Sequence, residues 1–117
     1  MKVLVVDDTR ARAAQLVELV RAKRHDAVGC ATSTELLEAL QASGTRAMLL
    51  DMATWRKGRA IYGYFGVARK LADIPIVFYN APEGFSGLPD RARLERDAIL
   101  PESATAEAIV ESLAGAA

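Results

Sequence analysis

The sequence has one cysteine, no net charge and no long apolar run. Its 117 residues contain 15 lysines and arginines against 15 aspartates and glutamates. A single cysteine excludes an internal disulfide and leaves no pair for a zinc ribbon or a redox C-x-x-C motif. Zero net charge supplies no overall field that would attract nucleic acid or an anionic membrane. No stretch approaches the ~20 apolar residues of a membrane-spanning helix. We therefore expect no direct nucleic-acid contact and no membrane insertion.

The length and the apolar content predict one folded unit. Compact domains most often have about 100–150 residues, and 51% of these residues are hydrophobic, enough for a real core. The opening MKVLVV is followed at once by Asp7 and Asp8, which the apolar core of a secretory signal would not tolerate. We expect a single cytoplasmic domain over residues 1–117.

Short apolar runs rich in β-branched residues alternate with helical patterns along the chain. Continuous apolarity is typical of strands buried on both faces of a parallel sheet. The strongest runs are Val3–Val6, Ala47–Leu50 and Ile74–Tyr79, with weaker ones at Ala27–Ala31 and Ala98–Leu100.

The helical patterns begin at recognisable caps. Thr9 is a candidate N-cap for a first helix, and Thr32 with Glu35 forms a capping box for a second. Further helices are predicted over Arg59–Leu71, Thr105–Leu113 and, more weakly, Pro89–Glu95. The order βαβαβαβαβα implies right-handed crossovers and a parallel sheet covered on both faces.

Acidic residues follow two of the predicted strands. Asp7 and Asp8 end the first strand and Asp51 ends the third, whereas Asn80 closes the fourth and Glu102 follows the fifth. Ligands bind at the carboxyl ends of strands in such sheets. A single aspartate there is often only a helix cap, but three at two strand ends would repel one another without a cation. They predict a site for a hard cation, most simply Mg²⁺.

Four segments resemble bacterial response-regulator receiver domains (CheY-like). The segments are Lys2–Asp8 (KVLVVDD), Met48–Asp51 (MLLD), Ile74–Ala81 (IPIVFYNA) and Asp97–Pro101 (DAILP). The resemblance extends over nearly the whole chain, and the Asp-Asp pair with Asp51 is its most specific part. It implies a flavodoxin-like, doubly wound (βα)5 fold whose five parallel strands have the order 2-1-3-4-5.

The resemblance also implies roles for individual residues. Asp51 would accept a phosphoryl group from a histidine kinase. Asp7, Asp8 and Asp51 would hold Mg²⁺ together with the backbone carbonyl of Ala53. The metal would neutralise charge on the transferring group. The implied partner is a histidine kinase or another signalling protein.

The sequence departs from the family in the part that responds to phosphorylation. Asn80 stands where the family has Thr or Ser, and Glu102, or Leu100 in a register two residues back, stands where it has a lysine. Ile99 occupies the aromatic switch position. Arg56 or Lys57 could fold over the site as a substitute cation, although a solvated loop charge is the interpretation we favour. The basic residues of the first helix, including Arg12, are likewise interpreted as a solvated face.

These departures leave two versions of a signalling module open. In one, Asp51 is phosphorylated with Mg²⁺; in the other, the chain is a degenerate receiver that acts by protein–protein contact alone. The alternative from another class is a Mg²⁺-dependent phosphatase-like enzyme with Asp51 as nucleophile. Such enzymes generally place a second acid where this chain has Ala53. The apolar segment Ile61–Val67 suggests a partner or homodimer surface.

Overall fold

Five parallel strands form one sheet in the computed structural model, which describes residues 1–42, 44–57, 72–88 and 95–116. Within those ranges the spatial order of the strands is β2-β1-β3-β4-β5, and every neighbouring pair is parallel. The strand order reverses between β1 and β3, as the resemblance implied. The predicted flavodoxin-like fold is confirmed. The strands are β1 (Lys2–Val6), β2 (Asp26–Cys30), β3 (Thr45–Asp51), β4 (Ile76–Ala81) and β5 (Ala98–Pro101).

Helices cover both faces of this sheet. The described helices are α1 (Arg10–Ala22), α2 (Ser33–Gln41), α3 (Met52–Lys57) and α4 (Ala106–Glu111), the last continued by a 3₁₀ turn over Ser112–Ala116. Helix α3 corrects the sequence interpretation, which treated the segment after Asp51 as a loop. The helices predicted over Arg59–Leu71 and Pro89–Glu95 fall outside the described residues, apart from Glu95, which lies in a turn. Within the described ranges, no helix has the length and apolarity needed to cross a bilayer.

The first two helices begin differently. Helix α2 has the predicted capping box: Thr32 Oγ1 accepts a hydrogen bond from the Glu35 N–H at 3.2 Å, and Glu35 Oε1 accepts one from the Ala31 N–H. Thr9 stands at the N-cap of α1, but its side chain makes no capping bond. Its backbone N–H instead donates to Asp7 Oδ1 at 2.9 Å. The start of α1 is therefore bonded directly to the acidic end of β1.

Side chains of the central strands alternate between two core layers, because successive residues of a strand point to opposite faces. The odd-numbered residues share one layer with α1 and α4, and the even-numbered ones share the other with α2 and α3. The first layer contains Val3, Val5, Ala47, Leu49, Val77 and Tyr79; the second contains Leu4, Val6, Met48, Leu50, Ile76 and Phe78.

The same alternation and the strand register place three polar side chains in one row. Val6 pairs with Leu50, so Asp7 comes next to Asp51, and Asp51 pairs with Tyr79. All three have odd numbers and therefore face α1. Asp7 and Asp51 are fully buried and Tyr79 nearly so. The fold thus sets two carboxylates and a phenol side by side beneath the first turn of α1.

Candidate functional site

Three carboxylates meet at the carboxyl ends of β1 and β3. One oxygen from each of Asp7, Asp8 and Asp51 lies within 4.8 Å of the other two. Asp7 and Asp51 are 0% exposed, whereas the side chain of Asp8 is 32% exposed. We call these three residues the acidic cluster. The sequence-based expectation that they converge is met, and they lie where the strand order reverses, the usual ligand position in such sheets.

A guanidinium group joins the two buried members of the cluster. Arg12 Nε donates to Asp7 Oδ2 at 2.5 Å, and its Nη2 donates to Asp7 Oδ1 and to Asp51 Oδ2, each at 3.1 Å. Helical side chains lean toward the helix N-terminus. Arg12, in the first turn of α1, therefore reaches back over the end of β1. The hydrogen bond to Asp7 raises the pKa of Arg12 above its ordinary value, so the group stays a cation.

Tyr79 completes the surroundings of Asp7 from the far side. Its hydroxyl donates to Asp7 Oδ2 at 2.6 Å, and the guanidinium carbon of Arg12 lies 5.8 Å from the centre of its ring. Burial, and next the hydrogen bond to Asp7, raise the pKa of Tyr79. The phenol is therefore a permanent neutral donor at physiological pH.

Asp51 is held mainly by the residues that follow it. Thr54 Oγ1 donates to Asp51 Oδ2 at 2.6 Å, and the Thr54 N–H donates to the same oxygen at 3.2 Å. The Ala53 N–H and Asn80 Nδ2 both donate to Oδ1, at 3.3 and 3.0 Å. Together with Arg12, these groups provide donors to both oxygens of Asp51. Asn80 has a φ of 54°, a left-handed conformation that asparagine tolerates better than most residues.

Asp8 belongs to the cluster but is more open to water. Its Oδ2 accepts from Lys57 Nζ at 3.1 Å, and its backbone N–H donates to Thr54 Oγ1 at 2.9 Å. The Lys57 side chain is 72% exposed, so this ion pair contributes little energy. It nevertheless corrects our interpretation of Lys57 as a purely solvated loop charge, because Lys57 ends α3 and contacts the cluster.

The buried carboxylates have no lone pair left for another ligand. Each oxygen of Asp7 and of Asp51 accepts at least two hydrogen bonds. A carboxylate oxygen offers about two acceptor positions. With Arg12 and Lys57, the three negative charges of the cluster face two positive ones supplied by the chain itself. The site is electrostatically almost balanced without any added ion.

Mg²⁺ is the ion implied by the resemblance. The donor type fits, since Mg²⁺ prefers carboxylate oxygens, and the spacing within the acidic cluster is compatible with a cation. The arrangement does not fit the ion while Arg12 stays in place, because the guanidinium occupies oxygens of both Asp7 and Asp51. Magnesium binding through Asp7, Asp8, Asp51 and the Ala53 carbonyl therefore stays a prediction.

Glu102 lies apart from this network. It is exposed, in the turn that follows β5, and borders a cleft with Phe85 and Ile99. Glu102, one of the two positions to which the resemblance assigns a lysine, is thus a solvated acid. Among the described residues, Arg12 and Lys57 are the cations that contact the cluster.

Several solved structures share this architecture, and they are receiver domains. A response regulator receiver protein from Burkholderia phymatum is 22% identical, with a TM-score of 0.67 over 98% of this chain and 94% of that one. The N-terminal domain of a response regulator/sensory box/GGDEF 3-domain protein from Carboxydothermus hydrogenoformans is 15% identical, with a TM-score of 0.68 over 99% and 93%. The chain has the receiver-domain fold. No protein-family model and no curated protein sequence matches it.

The fold brings the acidic cluster together as the sequence predicted, but three further residues of the site were missed from the sequence. Arg12 and Tyr79 contact Asp7, and Thr54 contacts Asp51. The odd numbers of Asp7, Asp51 and Tyr79 were an available signal that all three share one face of the sheet. A basic first turn in α1, unfavourable to the helix dipole, was a signal for Arg12.

Proposed function

We propose that the chain is a receiver-type signalling module that acts by contact with a histidine kinase or another signalling protein, while Asp51 stays unphosphorylated. One observation carries this proposal. Asp51 is 0% exposed, and both of its oxygens are engaged by donors from Arg12, Ala53, Thr54 and Asn80. The fold supports the signalling class, and the closed state of Asp51 supports the phosphorylation-independent version.

The chemistry of phosphoryl transfer explains why this geometry disfavours Asp51 as an acceptor. The attacking oxygen needs a free lone pair in line with the phosphorus, and the reaction depends on positioning and on cations that stabilise developing charge. Thr54 and Arg12 hold Asp51 Oδ2, while Ala53 and Asn80 hold Oδ1. In this buried setting, an attack by Oδ1 first requires at least one of its two hydrogen bonds to break, and an attack by Oδ2 at least two of its three.

The phosphorylated version has its own supporting observation, the three carboxylate oxygens within 4.8 Å of one another. In that version Asp7, Asp8, Asp51 and the Ala53 carbonyl would hold Mg²⁺, which would supply charge neutralisation for the incoming phosphoryl group. Arg12 would have to leave the cluster, and Asn80 would contact the phosphoryl oxygens in place of a hydroxyl.

The two versions are separated by incubating the chain with Mg²⁺ and acetyl phosphate, and separately with beryllofluoride. We expect no added phosphoryl mass by intact-protein mass spectrometry and no change of the Asn80 side-chain amide resonance. A phosphorylatable receiver domain in the same buffer is the positive control. Asp51→Asn is the matched variant, and it should behave like the wild type.

A phosphoryl adduct that forms in the wild type and is absent from Asp51→Asn would overturn the proposal in favour of the phosphorylated version. The same samples test the enzyme alternative. Steady release of phosphate from a phosphate ester, abolished by Asp51→Asn, would identify Asp51 as a catalytic nucleophile instead.

A further inference from the structure

We infer that Arg12 is a tethered cation that takes the place of a divalent metal in the acidic cluster, and that removing it would convert the cluster into a divalent-cation site. This rests on the proposed function in one respect, that the acidic cluster is the functional site of the fold. The inference adds to that proposal that Arg12 is the residue that excludes a divalent metal from the cluster.

The position of the guanidinium carries the inference. Arg12 contacts Asp7 through both Nε and Nη2, and Nη2 also contacts Asp51. A divalent ion shared by Asp7 and Asp51 would use oxygens that Arg12 already occupies. The ion and the guanidinium therefore compete for the same place.

The charges explain why the site requires a cation of some kind. Asp7 and Asp51 are both fully buried and lie on adjacent strands, so their negative charges repel at close range. The other donors to these carboxylates, such as Tyr79 and Thr54, are neutral. Arg12 is the described cation that touches both. Its stem is anchored in α1, so its positive charge cannot diffuse away.

Replacing Arg12 by methionine leaves a suitable set of ligands. The substitution keeps an unbranched stem but removes the planar cation. It frees one acceptor position on each oxygen of Asp7 and removes the third donor from Asp51 Oδ2, beside Asp8, whose side chain is 32% exposed. Divalent cations such as Mg²⁺ bind such carboxylates. The cluster, with Lys57 included, would then change from one excess negative charge to two.

The experiment titrates Mg²⁺ into the wild type, Arg12→Met and Arg10→Met by isothermal titration calorimetry, with thermal melting in parallel. Arg10 is the matched control because it lies in the same helical turn, is 73% exposed and pairs with Glu35 outside the cluster. We expect no saturable binding by the wild type or by Arg10→Met. Arg12→Met should bind one Mg²⁺, and its Tm should rise with Mg²⁺ concentration.

The double variant Arg12→Met/Asp51→Asn should lose most of this gain, because it removes one charge from the ligand set. Saturable Mg²⁺ binding by the wild type with an affinity within threefold of Arg12→Met would overturn the inference. So would the absence of binding by a folded Arg12→Met.

A second measurement covers the case in which Arg12→Met does not fold. The Nε–Hε resonance of Arg12 in the wild type reports directly on its bond to Asp7. It should be unchanged by Mg²⁺, and a saturable shift would mean that the ion displaces the guanidinium, contrary to the inference.

The outcomes for the two proposals are distinct. A wild type that binds Mg²⁺ yet takes no phosphate contradicts the role of Arg12 and leaves the proposed function standing. A wild type that is phosphorylated contradicts the proposed function, whereas the role of Arg12 is still decided by the titration and the resonance.

Discussion

The carboxyl ends of β1, β3 and β5 lie at the same edge of one sheet, yet the acidic residues at these ends have opposite surroundings. Asp7 and Asp51 are fully buried, and each of their oxygens accepts at least two hydrogen bonds. Glu102, after β5, is exposed to water. Hydrogen bonds and cations of the chain itself stabilise the buried charges, whereas water stabilises the exposed charge.

This difference explains how the chain accommodates an acid where the resemblance predicts a lysine. The lack of a lysine would destabilise the buried carboxylates only if no other residue supplied a cation to the cluster. Here the cation comes from a different element, from Arg12 of α1. A cation near the carboxylates offsets the cost of burying their charge, whereas the element that supplies it can differ.

The largest effect is expected from removing the cation that contacts both buried carboxylates. Arg12→Met should lower the free energy of unfolding in metal-free buffer by about 2–4 kcal/mol, because two buried carboxylates lose their charged partner. We place the figure below that of a fully buried pair since the Arg12 side chain is 35% exposed. Urea denaturation followed by the fluorescence of Trp55, the single tryptophan, measures the change.

Arg10→Met is the control for this measurement, with an expected change within about 0.5 kcal/mol, as for other exposed positions. Equal losses of unfolding free energy in the two variants would show that helix α1 tolerates neither substitution. The ion pairs of Arg12 with the buried carboxylates would then contribute no more stability than the surface pair of Arg10.

A smaller effect is expected from removing a neutral donor to the same site. Thr54→Val deletes the hydroxyl that donates to Asp51 Oδ2 and accepts from the Asp8 N–H. We expect a loss of about 1–3 kcal/mol, the cost of leaving buried polar groups without a partner. Thr45→Val is the matched control, because within the described residues the buried Thr45 Oγ1 has no hydrogen-bond partner.

Thr45→Val should therefore be neutral or slightly stabilising in the same urea denaturation. If the two threonine variants lost the same free energy, the hydroxyl of Thr54 would have no particular role in holding Asp51.

The smallest effect is expected at the solvated Glu102. Glu102→Lys introduces the lysine that the resemblance assigns to this position in one register, but it should change the free energy of unfolding by no more than about 0.5 kcal/mol, because the side chain is exposed. Raising the salt concentration should reduce the change further. A stabilisation above 1 kcal/mol would indicate that position 102 senses the buried carboxylates after all.

Much of the fold was predictable because strand burial leaves a strong pattern. The apolar runs around Leu4, Leu49 and Val77 predicted central strands buried on both faces, and they occupy the middle of the sheet. The capping box of Thr32 and Glu35 predicted the start of α2. Helix α3 was missed, because six residues after Asp51 are too few to show a helical period.

The convergence of Asp7, Asp8 and Asp51 was expected before the structure, since parallel strands end at a common edge and the resemblance implied that the first and third strands are neighbours. The partners of these acids did not follow. Helix α1 contains three arginines, Arg10, Arg12 and Arg21, and the sequence alone does not show which of them reaches the cluster. Only the packing of α1 against β1 and β2 brings Arg12, rather than its exposed neighbour Arg10, onto the buried carboxylates. Local pattern determines which groups must be buried, and tertiary packing decides which cation is close enough to stabilise them.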